Sequence, residues 1–277
     1  MAGPTELREL VQTDVAQEIP KETLGPVITN APFVYVDGTF NTRDLGLIEG
    51  SPLRPGFVHR TGTINHLTDN GKAAIAGKLG IKRIFDLRSP EERSMAPDPE
   101  IPGVENTWIQ STRPDSTPDL NMFISGVGEE GYEFMYMEVV DIYRASWKAV
   151  LEHVRDRPQE PFLVHCTAGR DRTGVISGLL LALAGASPDV VTFDYLLSRI
   201  GTEPVRQFLL GVAMAGTKAQ SEEQPGFYNL CSLKEESWAA FVKGVQRDYG
   251  GFEQFVTEQL GFSEEDLAKI KSNLTKA

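Results

Sequence analysis

One short stretch of the chain combines a cysteine with two arginines and an aspartate. Residues 163–174 read LVHCTAGRDRTG, in which His165 and Cys166 end an apolar run and five residues separate Cys166 from Arg172. A small, glycine-containing loop before a helix can turn successive backbone amides toward one centre, at the positive end of the helix dipole, and so bind an oxyanion. Arg172 adds a planar, bidentate donor that suits phosphate. We call residues 166–172 the cysteine loop. Besides Arg172, the phosphate-binding residues predicted in and just after it are Thr167, Ala168, Gly169, Arg170 and Gly174.

The same loop supplies a nucleophile. Nearby cations and a helix amino terminus favour the thiolate form of Cys166, which is the reactive form of a cysteine. The predicted reaction is in-line attack of the thiolate on phosphorus, departure of the alcohol with a proton, and hydrolysis of the phosphocysteine by water. Arg172 and the loop amides would stabilise the charge of the transition state. Thr173 is placed to donate a hydrogen bond to the sulfur as it leaves, and His165 is expected to order the loop.

A general acid is also needed, because an alkoxide or phenolate leaves poorly without a proton. Asp171 in the cysteine loop is the first candidate, and Asp115, in an irregular segment that could swing over the pocket, is the second. Asp86 is the third, although its place at a strand end favours a salt bridge to a loop arginine. Arg43 and Arg88 are accessory candidates that either contact substrate or, as charged residues more commonly do, join loops together.

The elements that must position these residues alternate between strand and helix. Cys166 ends the most apolar of the predicted strands. Strands are predicted over 81–93, 104–110 and 161–166, and short strands with turns over 31–46 and 54–62. Helices are predicted over 65–80, over 131–157 and from Thr173 onward, and a loop over 111–130. This order predicts an α/β fold, in which a mostly parallel sheet is flanked by helices and ligands bind at the carboxyl ends of the strands. The chain after residue 186 is predicted to be helical apart from a polar break at 216–226.

Composition excludes several classes of protein. The 277 residues carry 27 Lys and Arg against 39 Asp and Glu, a net charge of −12, which argues against a nucleic-acid binder or a polybasic membrane anchor. The longest apolar run, Gly174–Ala186, is shorter than the ~20 residues that span a bilayer, so no transmembrane segment is predicted. Two cysteines make neither a disulfide framework nor a zinc site, and we predict no metal or cofactor. The acidic, polar start resembles neither a secretory signal nor a transit peptide, so a cytoplasmic protein is expected.

The motifs resemble those of the cysteine-dependent tyrosine phosphatases, whose signature is His-Cys, five residues, Arg, then Thr or Ser. More narrowly, the chain is similar to the bacterial and fungal tyrosine/lipid phosphatases. This similarity extends to NTRDLG (41–46), LRPGFVHRTG (53–62), LGIKRIFDLRSPEER (79–93) and the closing segment 247–274. The resemblance implies a tyrosine phosphatase-like fold and supports Asp171 as the acid. It also implies that the basic residue before this aspartate, lysine in the family and Arg170 here, favours phosphoinositides as well as phosphotyrosine.

The sequence predicts a phosphatase domain over residues 30–277 after an extension, 1–29, whose first two dozen residues are expected to be loosely ordered. Residues 201–237 are expected to supply a helical lid as in the family. Phosphorylated proteins, phosphoinositides and small phosphorylated metabolites all remain candidate substrates. A non-catalytic phosphate-binding module and a thiol-based transferase or reductase are the alternatives, and the intact set of catalytic residues counts against the first of them.

Overall fold

A sheet of five strands organises the part of the chain that the structure, a computed structural model, describes, residues 4–276. The strands are β1 (Arg43–Asp44), β2 (Val58–Thr61), β3 (Arg83–Asp86), β4 (Glu105–Trp108) and β5 (Phe162–His165). Their order is β1-β2-β5-β3-β4, and each neighbouring pair is parallel except β1 and β2, which are antiparallel. The apolar strand β5 lies in the middle of the sheet with all four residues buried, so the residue that follows it, Cys166, emerges at the centre of the carboxyl edge.

Helices cover the sheet. They are α1 (Pro4–Leu10), α2 (Lys21–Ile28), α3 (Asp69–Ala73), α4 (Pro90–Met95), α5 (Glu129–Ile142), α6 (Arg144–Asp156), α7 (Asp171–Leu183), α8 (Pro188–Gly201), α9 (Arg206–Thr217), α10 (Phe227–Cys231), α11 (Glu235–Tyr249), α12 (Phe252–Gln254) and α13 (Glu264–Thr275). Helix α7 is apolar on all sides because it packs against α5, α8 and strand β5 at once. None of these described helices combines the length and the hydropathy needed to cross a membrane. The predicted α/β class, with a mostly parallel sheet and a helical carboxyl-terminal part, is confirmed.

Two predicted elements are interrupted. The helix predicted over 131–157 is two helices, α5 and α6, because Tyr143 between them adopts φ −102° and ψ 17°, outside the α-helical range. The strand predicted over 81–93 ends at Asp86, and α4 starts four residues later. Ser89 caps α4, accepting a hydrogen bond from the amide of Glu92 while the carboxylate of Glu92 accepts one from the amide of Ser89.

The segments 31–46 and 54–62, predicted as short strands with turns, contain the short strands β1 and β2, and most of the first segment forms turns. One further prediction needs correction. The expected loose order of the first two dozen residues is wrong for the part of it that the structure describes. Helices α1 and α2 contribute Leu7, Leu24 and Val27 to the main apolar core and pack against α8.

Candidate active site

Polar groups from other segments hold the carbonyl groups of the cysteine loop on its outer side. The Asn41 side-chain amide and the Arg60 guanidinium both donate to the carbonyl oxygen of Gly169, at 2.9 and 2.7 Å. The amide of Thr63 donates to the carbonyl oxygen of Thr167 at 3.0 Å. These bonds occupy the carbonyl groups of Thr167 and Gly169 and fix the backbone of the loop.

Gly169 allows this conformation. Its φ is +62°, and a Cβ atom there would lie 2.3 Å from the carbonyl oxygen of Thr61, so only glycine fits. Within residues 4–276, the amides of residues 167–170 donate to no protein acceptor. Helix α7 begins immediately afterwards, at Asp171, two residues earlier than the sequence predicted. Free amides at a helix amino terminus form an anion-binding site.

A cavity of about 220 Å³ opens over the cysteine loop. Its polar side holds six of the predicted residues and one that was not predicted, Glu92. This side consists of Cys166, Thr167, Ala168, Arg170, Asp171, Arg172 and Glu92. The remaining wall is mostly apolar and includes Val15, Pro118, Met135, Leu209, Leu210, Val212, Ala213 and Leu230. Helices α9 and α10, in the segment expected to supply a lid, contribute much of this apolar wall. The cavity therefore joins an anion site to an apolar space.

Arg172 is held at one edge of its guanidinium. Its Nη1 and Nη2 donate to the two carboxylate oxygens of Glu92 at 2.6 and 2.9 Å, and Nη1 also donates to the carbonyl oxygen of Leu87 at 3.0 Å. The other edge, formed by Nε and the second hydrogen of Nη2, has no protein acceptor among the described residues. This edge is free to donate two hydrogen bonds to an oxyanion.

Glu92 is the residue that sequence reasoning missed. Its carboxylate also accepts a hydrogen bond from the Thr167 hydroxyl at 2.5 Å. Burial by itself would raise the pKa of Glu92, but the charge of Arg172 and the hydrogen bonds from Arg172 and Thr167 lower it to about 2. The sequence signal was the capping box, Ser89 followed three residues later by Glu92, which marks the start of a helix rather than the end of a strand.

Asp171 is fixed by two donors. The hydroxyl of Tyr136 donates to its Oδ1 at 2.8 Å, and Nε of Arg170 contacts both of its carboxylate oxygens at 3.0 and 3.1 Å. Tyr136 is fully buried, and its hydroxyl lies 3.1 Å from that of Tyr195. Burial raises the pKa of Tyr136 well above its usual value, and the negative charge of Asp171 raises it further, so this hydroxyl stays a donor.

Arg170 makes contacts that the sequence did not suggest. Its Nη1 and Nη2 donate to the carbonyl oxygens of Cys231 and Leu230, at 2.9 and 3.2 Å, and its Nε pairs with Asp171. All three nitrogens of the guanidinium therefore have protein acceptors, and Arg170 ties the end of α10 to the cysteine loop. Cys231 also lines the cavity, and burial raises the pKa of its thiol to about 11.

Asp115, the second candidate acid, is linked to Arg172 through the hydroxyl of Tyr143. The hydroxyl of Tyr143 donates to its carboxylate at 2.8 Å and lies 3.4 Å from Nη1 of Arg172. Asp115 is half-buried and does not line the cavity, whereas Asp171 does.

His165, Asp86 and Arg88 belong to a buried network behind the loop. Nε2 of His165 lies 3.0 Å from the carboxylate of Asp98, and the guanidinium of Arg88 pairs with both Asp86 and Asp98. The side chains of Asp86, Asp98 and His165 are close enough together to hold a metal ion. Arg88 pairs with both carboxylates and Arg93 pairs with Asp86 as well, so two positive charges face the two negative ones and the cluster is built as an ion-pair network. None of these residues lines the cavity, and they support the loop from behind.

Arg43 is also buried away from the cavity. Its guanidinium donates to the carboxylate of Asp194 at 2.8 Å and to the hydroxyl of Ser198 at 3.0 Å, and Arg60 pairs with the other oxygen of Asp194. Burial alone would raise the pKa of Asp194, but the charges of the two arginines lower it. Arg43 therefore joins strand β1 to α8 instead of meeting a ligand, and Arg60 carries the contact onward to the cysteine loop.

Thr173 and Gly174 lie in the first turn of α7 and do not line the cavity. The hydroxyl of Thr173 is buried and forms no hydrogen bond within the described chain. Its predicted bond to the departing sulfur of Cys166 stays a prediction. Gly174 donates its amide to the carbonyl oxygen of Arg170 at 2.9 Å and so closes the loop onto the helix.

A thiol among free amides, an arginine with an open bidentate edge and a nearby carboxylate form the site of a cysteine-dependent phosphatase. Comparison with known proteins agrees. The sequence model of the tyrosine phosphatase family matches residues 34–276, and the chain belongs to that family. The protein is accordingly a phosphoric monoester hydrolase, as the sequence predicted.

The individual relatives share only about a quarter of their residues with this chain. A tyrosine-protein phosphatase of Nostoc commune is 26% identical over 277 residues, which cover 95% of this chain and 90% of that protein. The triple specificity protein phosphatase PtpB of Mycobacterium tuberculosis is 26% identical over 197 residues, covering 61% of this chain and 70% of that protein. Among solved structures, the core catalytic domain of the PP-IP phosphatase SIW14 from S. cerevisiae aligns at a TM-score of 0.35 with 12% identity, covering 76% of this chain and 94% of that one.

Proposed function

We propose that the protein hydrolyses phosphotyrosine, and further phosphate monoesters that fit the same cavity, through a phosphocysteine at Cys166. The observation that carries the proposal is the cavity in which Cys166, Asp171 and the open edge of Arg172 meet the free amides of the cysteine loop. A phosphate group in this site would place three of its oxygens among donors and leave phosphorus open to the sulfur. In-line attack forms the S–P bond and breaks the P–O bond to the alcohol.

The proposal assigns the general acid to Asp171. Its carboxyl lines the cavity and is oriented by Tyr136 and Arg170, so it can meet the leaving oxygen without a loop movement. Asp115 would need to move toward the cavity and break its contact with Tyr143. In the second step, the carboxylate that has lost its proton takes one from water, which attacks phosphorus and releases the thiolate. The buried, unpaired hydroxyl of Thr173 supports a role in that step, since leaving such a group unpaired costs about 1–3 kcal/mol.

The proposed substrates are phosphorylated proteins first. The name of the Mycobacterium tuberculosis relative, triple specificity protein phosphatase, supports extending them beyond phosphotyrosine to phosphoserine and phosphothreonine. Phosphoinositides are also proposed as substrates. Arg170 favours them less than the sequence suggested, because its guanidinium already donates hydrogen bonds to Asp171, Leu230 and Cys231. We propose a cytoplasmic location, because a nucleophilic thiol stays reduced there.

Hydrolysis of p-nitrophenyl phosphate by the wild type and by Cys166→Ser tests the chemistry. We expect turnover by the wild type alone, and a folded but inactive wild type would refute the proposal.

The general acid is tested by comparing Asp171→Asn and Asp115→Asn on phenyl phosphate and p-nitrophenyl phosphate. We expect Asp171→Asn to slow the poorer leaving group, phenol, far more than p-nitrophenol, and Asp115→Asn to slow both alike. A reversal of these two patterns would transfer the role to Asp115.

A further inference from the structure

A segment that precedes the matched part of the chain, residues 13–19, is fixed beside the catalytic cavity. It lies between α1 and α2, ahead of the family match that starts at residue 34. Five hydrogen bonds attach its backbone to α8, α9 and the turn between them. The donors and acceptors are Arg199 to the carbonyl oxygens of Thr13 (2.9 Å), Asp14 (3.2 Å) and Gln17 (2.6 Å), Arg206 to that of Val15 (3.1 Å), and the amide of Ile19 to the carboxylate of Glu203 (3.0 Å).

These contacts are specific because their side chains are buried. Arg199 and Glu203 are 3% and 7% exposed and pair with each other. Arg199 donates to three backbone carbonyl groups of the segment, and hydrogen bonds from a charged donor are stronger than neutral ones. The segment is therefore a built part of the fold rather than a passing contact.

The attachment brings one apolar side chain into the wall of the cavity. Val15 is 8% exposed and packs in one cluster with Leu210 of α9 and with Phe227 and Cys231 of α10. Val15 and Leu210 both line the cavity that also contains Cys166. The apolar wall is thus shared between the segment and α9, and it is continuous with the site where the phosphate would bind.

We propose that Val15 and Leu210 form an apolar subsite for the group esterified to the phosphate, so that the amino-terminal segment helps determine which esters the enzyme prefers. This inference rests on the proposed function of the Cys166 site. An ester with a large apolar group would bury it against Val15 while its phosphate occupies the cysteine loop. A small ester would reach the loop without touching Val15. The subsite therefore selects through KM, and the reacting atoms are left unaffected.

The first test compares phenyl phosphate with biphenyl-4-yl phosphate, whose leaving phenols have similar acidity but differ in apolar size. Val15→Thr keeps the shape of the side chain and puts a hydroxyl into the apolar wall. We expect it to raise KM for the biphenyl ester about tenfold and to leave phenyl phosphate within about twofold, since covering an unpaired hydroxyl is unfavourable. The matched control is Val11→Thr, because Val11 is also buried, at 3% exposed, but lies in the main core and does not line the cavity.

Equal KM ratios for the two esters in wild type and Val15→Thr would overturn the inference, as would the same ratio change in Val11→Thr. An inactive wild type would instead refute the proposed function. A second measurement avoids any change at Val15. The Cys166→Ser variant is irradiated with bound 4-benzoylphenyl phosphate, and we expect this compound to attach to residues 15 and 209–213. Attachment to other residues only would overturn the inference, even if Val15→Thr fails to fold.

Discussion

Glu92 offers the sharpest test of how the site is held together. Its carboxylate pairs with two nitrogens of Arg172, accepts the Thr167 hydroxyl and closes the capping box of α4 on Ser89. Glu92→Gln removes the negative charge while keeping an oxygen that can accept from Thr167 or from Ser89. The variant therefore isolates what the charge contributes to the position of Arg172.

The size of the effect follows from the pKa of Glu92. A pKa of about 2, against the ordinary 4.5, corresponds to about 3 kcal/mol in favour of the carboxylate in the folded state. A lowered pKa contributes stability above pH ~4.5, and this contribution is lost as the pH falls toward 2. We expect Glu92→Gln to lower the free energy of unfolding at pH 7 by up to about 3 kcal/mol and to converge with the wild type near pH 2. Replacing charge-assisted hydrogen bonds by neutral ones should also cost about tenfold in kcat/KM.

The assays are urea unfolding at pH values from 2 to 7 and hydrolysis of p-nitrophenyl phosphate. Glu91→Gln is the matched control, because Glu91 is exposed, lies in the same first turn of α4 and carries the same charge. We expect this control to leave both measurements unchanged. If Glu92→Gln matched the wild type in kcat/KM and in the pH dependence of unfolding, the carboxylate would not be what positions Arg172.

Three further outcomes are expected. Gly169→Ala should remain folded but lose about a hundredfold in kcat, since its φ of +62° and the adjacent strand leave no room for a Cβ atom and the loop must shift; full activity would contradict this. Iodoacetate at pH 7 should modify Cys166 and spare Cys231, whose pKa of about 11 keeps it protonated, as peptide mass mapping would show; equal labelling would refute it. Arg43→Met should lower the free energy of unfolding by about 3 kcal/mol, measured in urea, because it removes one partner of the buried Asp194 pair; a change below about 1 kcal/mol would mean that the pair contributes little.

Local patterns were enough to predict the cysteine loop. An apolar strand, a cysteine, five small or charged residues, an arginine and an apolar helix follow one another directly, and each step depends on neighbours in the chain. The same locality explains the correct α/β class, because alternating strands and helices leave few ways to build a sheet. It also explains the errors at Tyr143 and Ser89. One departure from helical geometry and one capping box change an element boundary without disturbing the apolar pattern on either side.

The supports of the loop were decided by tertiary structure alone. Asn41, Arg60 and Glu92 reach the loop only because β1, β2 and the segment after β3 converge at one edge of the sheet, and no spacing in the chain encodes that meeting. Likewise, Val15 borders the cavity because Arg199 holds a distant segment against α9. The sequence by itself identified the residues that are proposed to bind phosphate and attack it, since that chemistry sits in one continuous stretch. Tertiary structure decided which residues orient them and which side chains border the ester, because those contacts join segments that are far apart in the chain.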